Sequence, residues 1–92
     1  MPHRRFKYDW SRTWDDKPED YVCADGPMKV GRAYRISSIA EGGWFWTMYA
    51  LVGNRSGASS GRVETLDEAC HTVERAYDEL LARVRDELSA RC

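Results

Sequence analysis

An α+β fold, in which an antiparallel sheet of three to four strands packs against one long C-terminal helix, is predicted by three features of the sequence. Residues 29–52 alternate side-chain character on either side of a Gly-rich turn. Thr65-Leu66-Asp67-Glu68 has the spacing of a capping box, and apolar residues then recur at intervals of three and four as far as Leu88. A length of 92 residues supports one core, not two. Four Trp, five Tyr and two Phe supply that core without metal or disulfide, since each buried ring removes about 150–250 Å² from water.

Taken in order, residues 1–19 mix Phe6, Tyr8, Trp10 and Trp14 with charges and Pro18, and predict a partly ordered arm ahead of a single domain over 20–92. Asp20–Asp25 is β-prone and ends at Asp25-Gly26-Pro27, a turn in which Gly supplies conformational freedom and Pro a fixed φ. From Lys29 to Ser38, Val30, Arg32, Tyr34 and Ile36 fall on one face of a second strand, and Gly31, Ala33, Arg35 and Ser37 on the other. Glu41-Gly42-Gly43 turns the chain into a third strand, Trp44–Val52, dense in aromatic and β-branched residues. Gly53–Gly61 is small and polar, a long loop leading to a short fourth strand at Arg62–Glu64.

In the capping box, the Thr65 hydroxyl is placed to accept from the Glu68 amide and the Glu68 carboxylate to accept from the Thr65 amide. Beyond it, Leu66, Ala69, Cys70, Val73, Ala76, Tyr77, Leu80, Leu81, Val84 and Leu88 form the apolar stripe of a helix of about 25 residues. Arg75, Glu79, Arg83, Glu87 and Arg91 alternate in sign at i,i+4 on the solvated side. Such a helix is nearly 40 Å long, so its last turns overhang a sheet of ordinary strand length.

Formal net charge is −1, which gives no general attraction to a polyanion. The charges are unevenly spread. Residues 1–62 carry ten basic and seven acidic side chains, a balance of +3, and residues 63–92 carry four and eight, a balance of −4. Cys23, Cys70 and Cys92 are odd in number and lack C-x-x-C spacing, which argues against a disulfide framework or zinc site and for reduced thiols in a cytoplasm. No run approaches the roughly 18 apolar residues of a membrane span, so no membrane partner is expected.

No motif specifies an enzyme or a cofactor. Ser56, Ser59 and Ser60 lie among glycines, but not in G-x-S-x-G order, and the phosphate-loop pattern is missing. Cys70 and His71 are helix neighbours about 100° apart and do not chelate one ion; Cys70 belongs to the stripe as a buried thiol. Asp15-Asp16 and Glu19-Asp20 are expected to be solvated acids.

The functional opening lies in the third strand, where Trp44, Trp46 and Met48 alternate with Phe45, Thr47, Tyr49 and Leu51, so that both faces are apolar. One helix buries only one face. The other needs the N-terminal arm, a second subunit or a ligand. Trp44, Trp46, Tyr34, Arg32, Arg35 and Arg55 are the expected interaction surface. Their basic and aromatic mixture, with Arg62, also suits nucleic acid, phosphates being tracked by arginine and bases stacked on rings.

Val30–Arg35, Gly43–Met48 and the run from Gly61 through the capping box to Glu74 together resemble small alphaproteobacterial proteins of unassigned activity. The Gly-Gly-aromatic strand, the Gly-rich turn and Thr65-Leu66-Asp67-Glu68-Ala69 opening a helix also resemble the β-β-β-α core of HicB-type antitoxins and of arm-type integrase DNA-binding domains, over about half of the chain. That resemblance implies a fold and a binding-module class, and carries over no site residues. The expectation is therefore a non-enzymatic bacterial interaction or regulatory module that binds another protein or itself as a homodimer, with nucleic acid as the alternative partner.

Overall fold

A computed structural model of the protein describes residues 6–14, 17–35, 43–52, 55–56 and 58–91. The elements are β1 (Asp9–Trp14), β2 (Lys17–Asp25), β3 (Met28–Arg35), β4 (Trp44–Met48), β5 (Leu51–Val52), β6 (Arg55–Ser56), β7 (Ser59–Val63) and α1 (Leu66–Arg91). Five strands form one antiparallel sheet in the order β1-β2-β3-β4-β7, while β5 and β6 pair as a small separate ribbon. The α+β class is as the sequence predicts. The fifth strand comes from the segment expected to be an arm.

That expected arm supplies β1 and the first residues of β2, so the boundary anticipated at residue 20 falls inside a strand. Phe6, Tyr8 and Trp10 stand at a spacing of two, and all three pack against the helix-side core. The charged residues between them obscured this short period. The β2–β3 hairpin closes through Gly26-Pro27, with Asp25 paired to Met28 and Gly26 at φ +60°, a value suited to glycine at the first central turn position. Residues 36–42, including Ile36 and the Glu41-Gly42 turn, lie outside the described residues, as do Gly53, Asn54 and Gly57 of the predicted loop.

Strand register assigns the faces. Gly31 pairs with Met48, Ala33 with Trp46 and Arg35 with Trp44, so this set shares the face against α1. Val30 departs from the predicted alternation. Cys23 pairs with Gly31 and Ala24 with Lys29, which leaves Val30 as an extra residue in a bulge and turns it into the core rather than beside Arg32 and Tyr34.

Helix and sheet meet closely at Gly31, where a Cβ would lie 2.7 Å from Val73 Cγ1 and would also clash with the Thr47 carbonyl oxygen. Cys23, Val30, Met48, Ala50, Val73, Tyr77 and Leu80 make the main core, and Ala33, Ala69 and Cys70 a second cluster beneath the start of the helix. Across β4 and β7, the Trp46 indole lies against Gly61, 3.0–3.2 Å from where a side chain would begin. An aromatic ring thereby supplies the packing that the glycine lacks.

At the helix start the Thr65 hydroxyl accepts from the Glu68 amide at 3.2 Å. The Glu68 carboxylate accepts from that same hydroxyl at 3.2 Å, where the capping box had placed the Thr65 amide as its donor. Asp67 and Glu68 in the first turn also complement the helix dipole. The 26 residues of α1 span about 39 Å against about 26 Å for the eight of β3, and Leu88 on the overhanging end is 59% exposed. Arg75, Glu79 and Arg83 are exposed as predicted.

A buried acid fastens the N-terminal segment to the helix. Glu74 is 6% exposed; its Oε1 accepts from the Lys7 amide at 3.1 Å, and its Oε2 from the Tyr8 amide at 2.9 Å and the Trp10 indole at 3.0 Å. One turn on, Asp78 receives the Tyr8 hydroxyl and the Lys7 ammonium. The ring of Tyr8 meets Tyr77 edge-on at 5.1 Å, and Phe6 packs on His71 at 4.8 Å. The aromatics of residues 6–10 are thus committed to the helix side.

Candidate interaction surface

Opposite α1 the sheet presents a second set of side chains, fixed by the same register. Asp20 pairs with Tyr34, Tyr34 with Phe45 and Phe45 with Arg62, giving a row across β2, β3, β4 and β7. Beside it run Ser11, Val22, Arg32, Thr47 and Ser60. Val22, Arg32, Tyr34, Phe45 and Thr47 on this face are half-buried. Tyr34 and Phe45 adjoin at 5.6 Å between ring centroids, and the Arg32 guanidinium sits over Tyr34 at 4.5 Å.

Asp20 departs from the solvated state expected of it. It is 6% exposed, accepts from the Thr13 hydroxyl and from Arg32 Nε, each at 2.8 Å, and pairs with Arg32 Nη2. The hydrogen bond from Arg32 to Asp20 raises the arginine's already high pKa, against the opposing effect of burial. Strand pairing carries Asp20 beneath the arginine, where the hydrogen bonds it accepts from Thr13 and Arg32 offset the cost of burying a polar group. Nearby, Tyr49 is 41% exposed and its hydroxyl donates to the Gly31 carbonyl at 3.4 Å; burial raises its pKa.

The six residues expected to form one surface are divided. Arg32 and Tyr34 lie together on the open face, whereas Trp44 and Trp46 point to the helix side, packed with Val63, Leu66 and the core. Trp44 also neighbours Tyr21 at 6.4 Å. Arg35 shares their strand parity and bonds Glu19 at 3.1 Å. Arg55 is in β6, and its side chain lies outside the described residues. Phe45 takes the place of the tryptophans. Alternation separated Phe45 and Tyr49 from Trp44 and Trp46 in the sequence, but the pattern alone did not say which set meets the helix.

Other candidates have structural partners. Cys70 and Cys23 are buried free thiols, both pushed up to about 12, chiefly by desolvation and then by the charge of Glu74. Cys92 and the Asp15-Asp16 pair lie outside the described residues. Among the described residues no cluster of His, Cys, Asp and Glu is placed to hold a metal ion, and no helix is long and apolar enough to cross a membrane.

Comparison with protein-family models, with curated proteins and with solved structures finds no match. The face itself must carry the functional inference.

Proposed function

We propose that this chain is a non-enzymatic interaction module that binds a protein, either another chain or its own copy, through the sheet face bearing Tyr34, Phe45 and Arg32. The observation that carries this reading is that Tyr34 and Phe45 adjoin, half-buried, on the sheet face opposite the helix, while Phe6, Tyr8 and Trp10 are packed against the helix side. Buried free thiols in Cys23 and Cys70 are in keeping with a reducing cytoplasm.

A protein partner is favoured over nucleic acid by the state of the arginines. Arg32 and Arg35, two of the four that a phosphate-tracking face would use, are already ion-paired with Asp20 and Glu19. Nucleic-acid affinity comes largely from cations that exchange counterions for phosphate, and these two are engaged within the chain.

The test compares the full chain with Phe45→Lys, each checked by circular dichroism, as bait for proteins of its source cell and in titrations with a single-stranded oligonucleotide. Retention of a protein by the wild type and its loss in Phe45→Lys is expected. Capture unchanged by Phe45→Lys, or a salt-steep affinity for the oligonucleotide, overturns the reading.

A further inference from the structure

We infer that the cleft between β2 and α1 is an acceptor site for residues 6–14, and that this segment exchanges with the same segment of a second copy to give a swapped dimer. The inference goes beyond the open-face reading and does not use that face. Its basis is the way Glu74 holds the segment. The buried carboxylate accepts two successive backbone amides, those of Lys7 and Tyr8, together with the Trp10 indole, while Phe6, Tyr8 and Trp10 pack at alternate positions. Main-chain bonds of this kind supply affinity, and places for alternate side chains select the segment.

The helix anchors of this segment are all remote in sequence. Lys7, Tyr8 and Trp10 reach Glu74 and Asp78 across 64 to 71 residues. A second copy offers the same acceptors and the same β2 edge, so exchange remakes each bond and alters only the connection between β1 and β2. That connection is short, because Trp14 pairs with Lys17. Straightening it joins β1 to β2 as one strand that reaches the other copy.

The segment is also suited to leaving. β1 ends the described sheet, so its departure breaks one ladder of backbone bonds, and the register shift between Arg12 and Trp14 already interrupts that ladder beside the connection. Phe6, Tyr8 and Trp10 are half-buried, which keeps the apolar surface exposed on opening below that of a core strand. Within one chain the segment competes at the effective concentration set by a short connection, roughly millimolar, so exchange is favoured at high protein concentration.

The exposed pair of Lys7 Nζ and Asp78, 3.2 Å apart, provides the test, since a water-soluble carbodiimide joins an ammonium and a carboxylate in contact as an amide. Equal parts of unlabelled and isotope-labelled full chain are incubated together up to roughly millimolar concentration, linked and digested for mass spectrometry. Mixed-isotope Lys7–Asp78 links are expected to rise with concentration and time toward the statistical half. Glu74→Gln is expected to reach the same plateau at least about threefold sooner, because a weaker clamp speeds opening and the clamp is made once per copy in both forms. Links confined to one isotope at the highest concentration overturn the proposal, as do mixed links that vanish at once on dilution, the mark of a surface encounter. The open-face reading is judged separately, by whether Phe45→Lys loses capture of another protein.

Discussion

The Trp10 indole donates to the Glu74 carboxylate at 3.0 Å, joining the edge strand to the helix across 64 residues of sequence. The same carboxylate holds the amides of Lys7 and Tyr8. Glu74→Ala leaves three donors without their acceptor and is expected to cost at least about 2 kcal/mol, because a buried donor left unpaired costs about 1–3 kcal/mol. Glu74→Gln keeps the volume and one acceptor oxygen, and should fall between the wild type and Glu74→Ala. Urea denaturation gives the order, and hydrogen exchange should show Lys7 and Tyr8 losing protection before the helix core. Unchanged protection at both amides would show that Glu74 does not hold the segment.

Gly31 allows the helix and sheet to touch. Gly31→Ala is expected to cost about 1–3 kcal/mol as the new methyl is forced against Val73 and the Thr47 carbonyl. Combining it with Val73→Ala should cost less than the sum of the two single changes, since the second removes one of the obstacles. Strict additivity in denaturation midpoints would show that Val73 is not what the methyl meets.

Stability should fall in alkali. Tyr77 is pushed up to about 12, first by burial and then by its bond to Asp25, and Tyr8 is raised by burial and then by Asp78. The Cys23 and Cys70 thiols stand near 12. All four are acids whose protons the folded state holds more tightly than the unfolded chain does. Their contribution is complete below the ordinary values of 9.0 for the thiol and 10.0 for the phenol, and is lost as pH rises through the folded values. The urea midpoint is expected to decline from about pH 9 upward, with a shallower decline in Tyr77→Phe. Equal slopes in the two proteins would remove Tyr77 from the effect.

Two leucines of the same stripe should behave differently. Leu80 is 1% exposed, and Leu80→Ala is expected to cost about 2–5 kcal/mol through transfer and cavity terms. Leu88 is 59% exposed on the overhang, so Leu88→Ala should stay within about 0.5 kcal/mol. Similar losses at both sites in chemical denaturation would mean that the helix end is packed.

The features legible in the sequence are those decided over a few residues. The Gly26-Pro27 turn and the Thr65 cap depend on backbone preferences within four positions, and the periodic stripe marks α1 to within a residue or two. Pairings between distant segments were less visible. β1 has only Trp10 among the buried or core-packed side chains of its described residues, too few to display alternation, and Glu74 reads as a surface acid until Lys7, Tyr8 and Trp10 are brought beside it.

The interaction surface divides in the same way. The sequence by itself determined that one face of Trp44–Met48 carries Trp44, Trp46 and Met48 and the other Phe45 and Thr47, because side chains in a strand must alternate. Only the tertiary structure decided which face meets the helix. That choice follows from volume: Gly31 and Ala33 on β3 and Gly61 on β7 leave room on one side for Val73, Cys70 and the two indoles, whereas Arg32, Tyr34 and Arg62 fill the other. Packing complementarity of this kind arises between strands and helix once they are assembled, and no single strand encodes it.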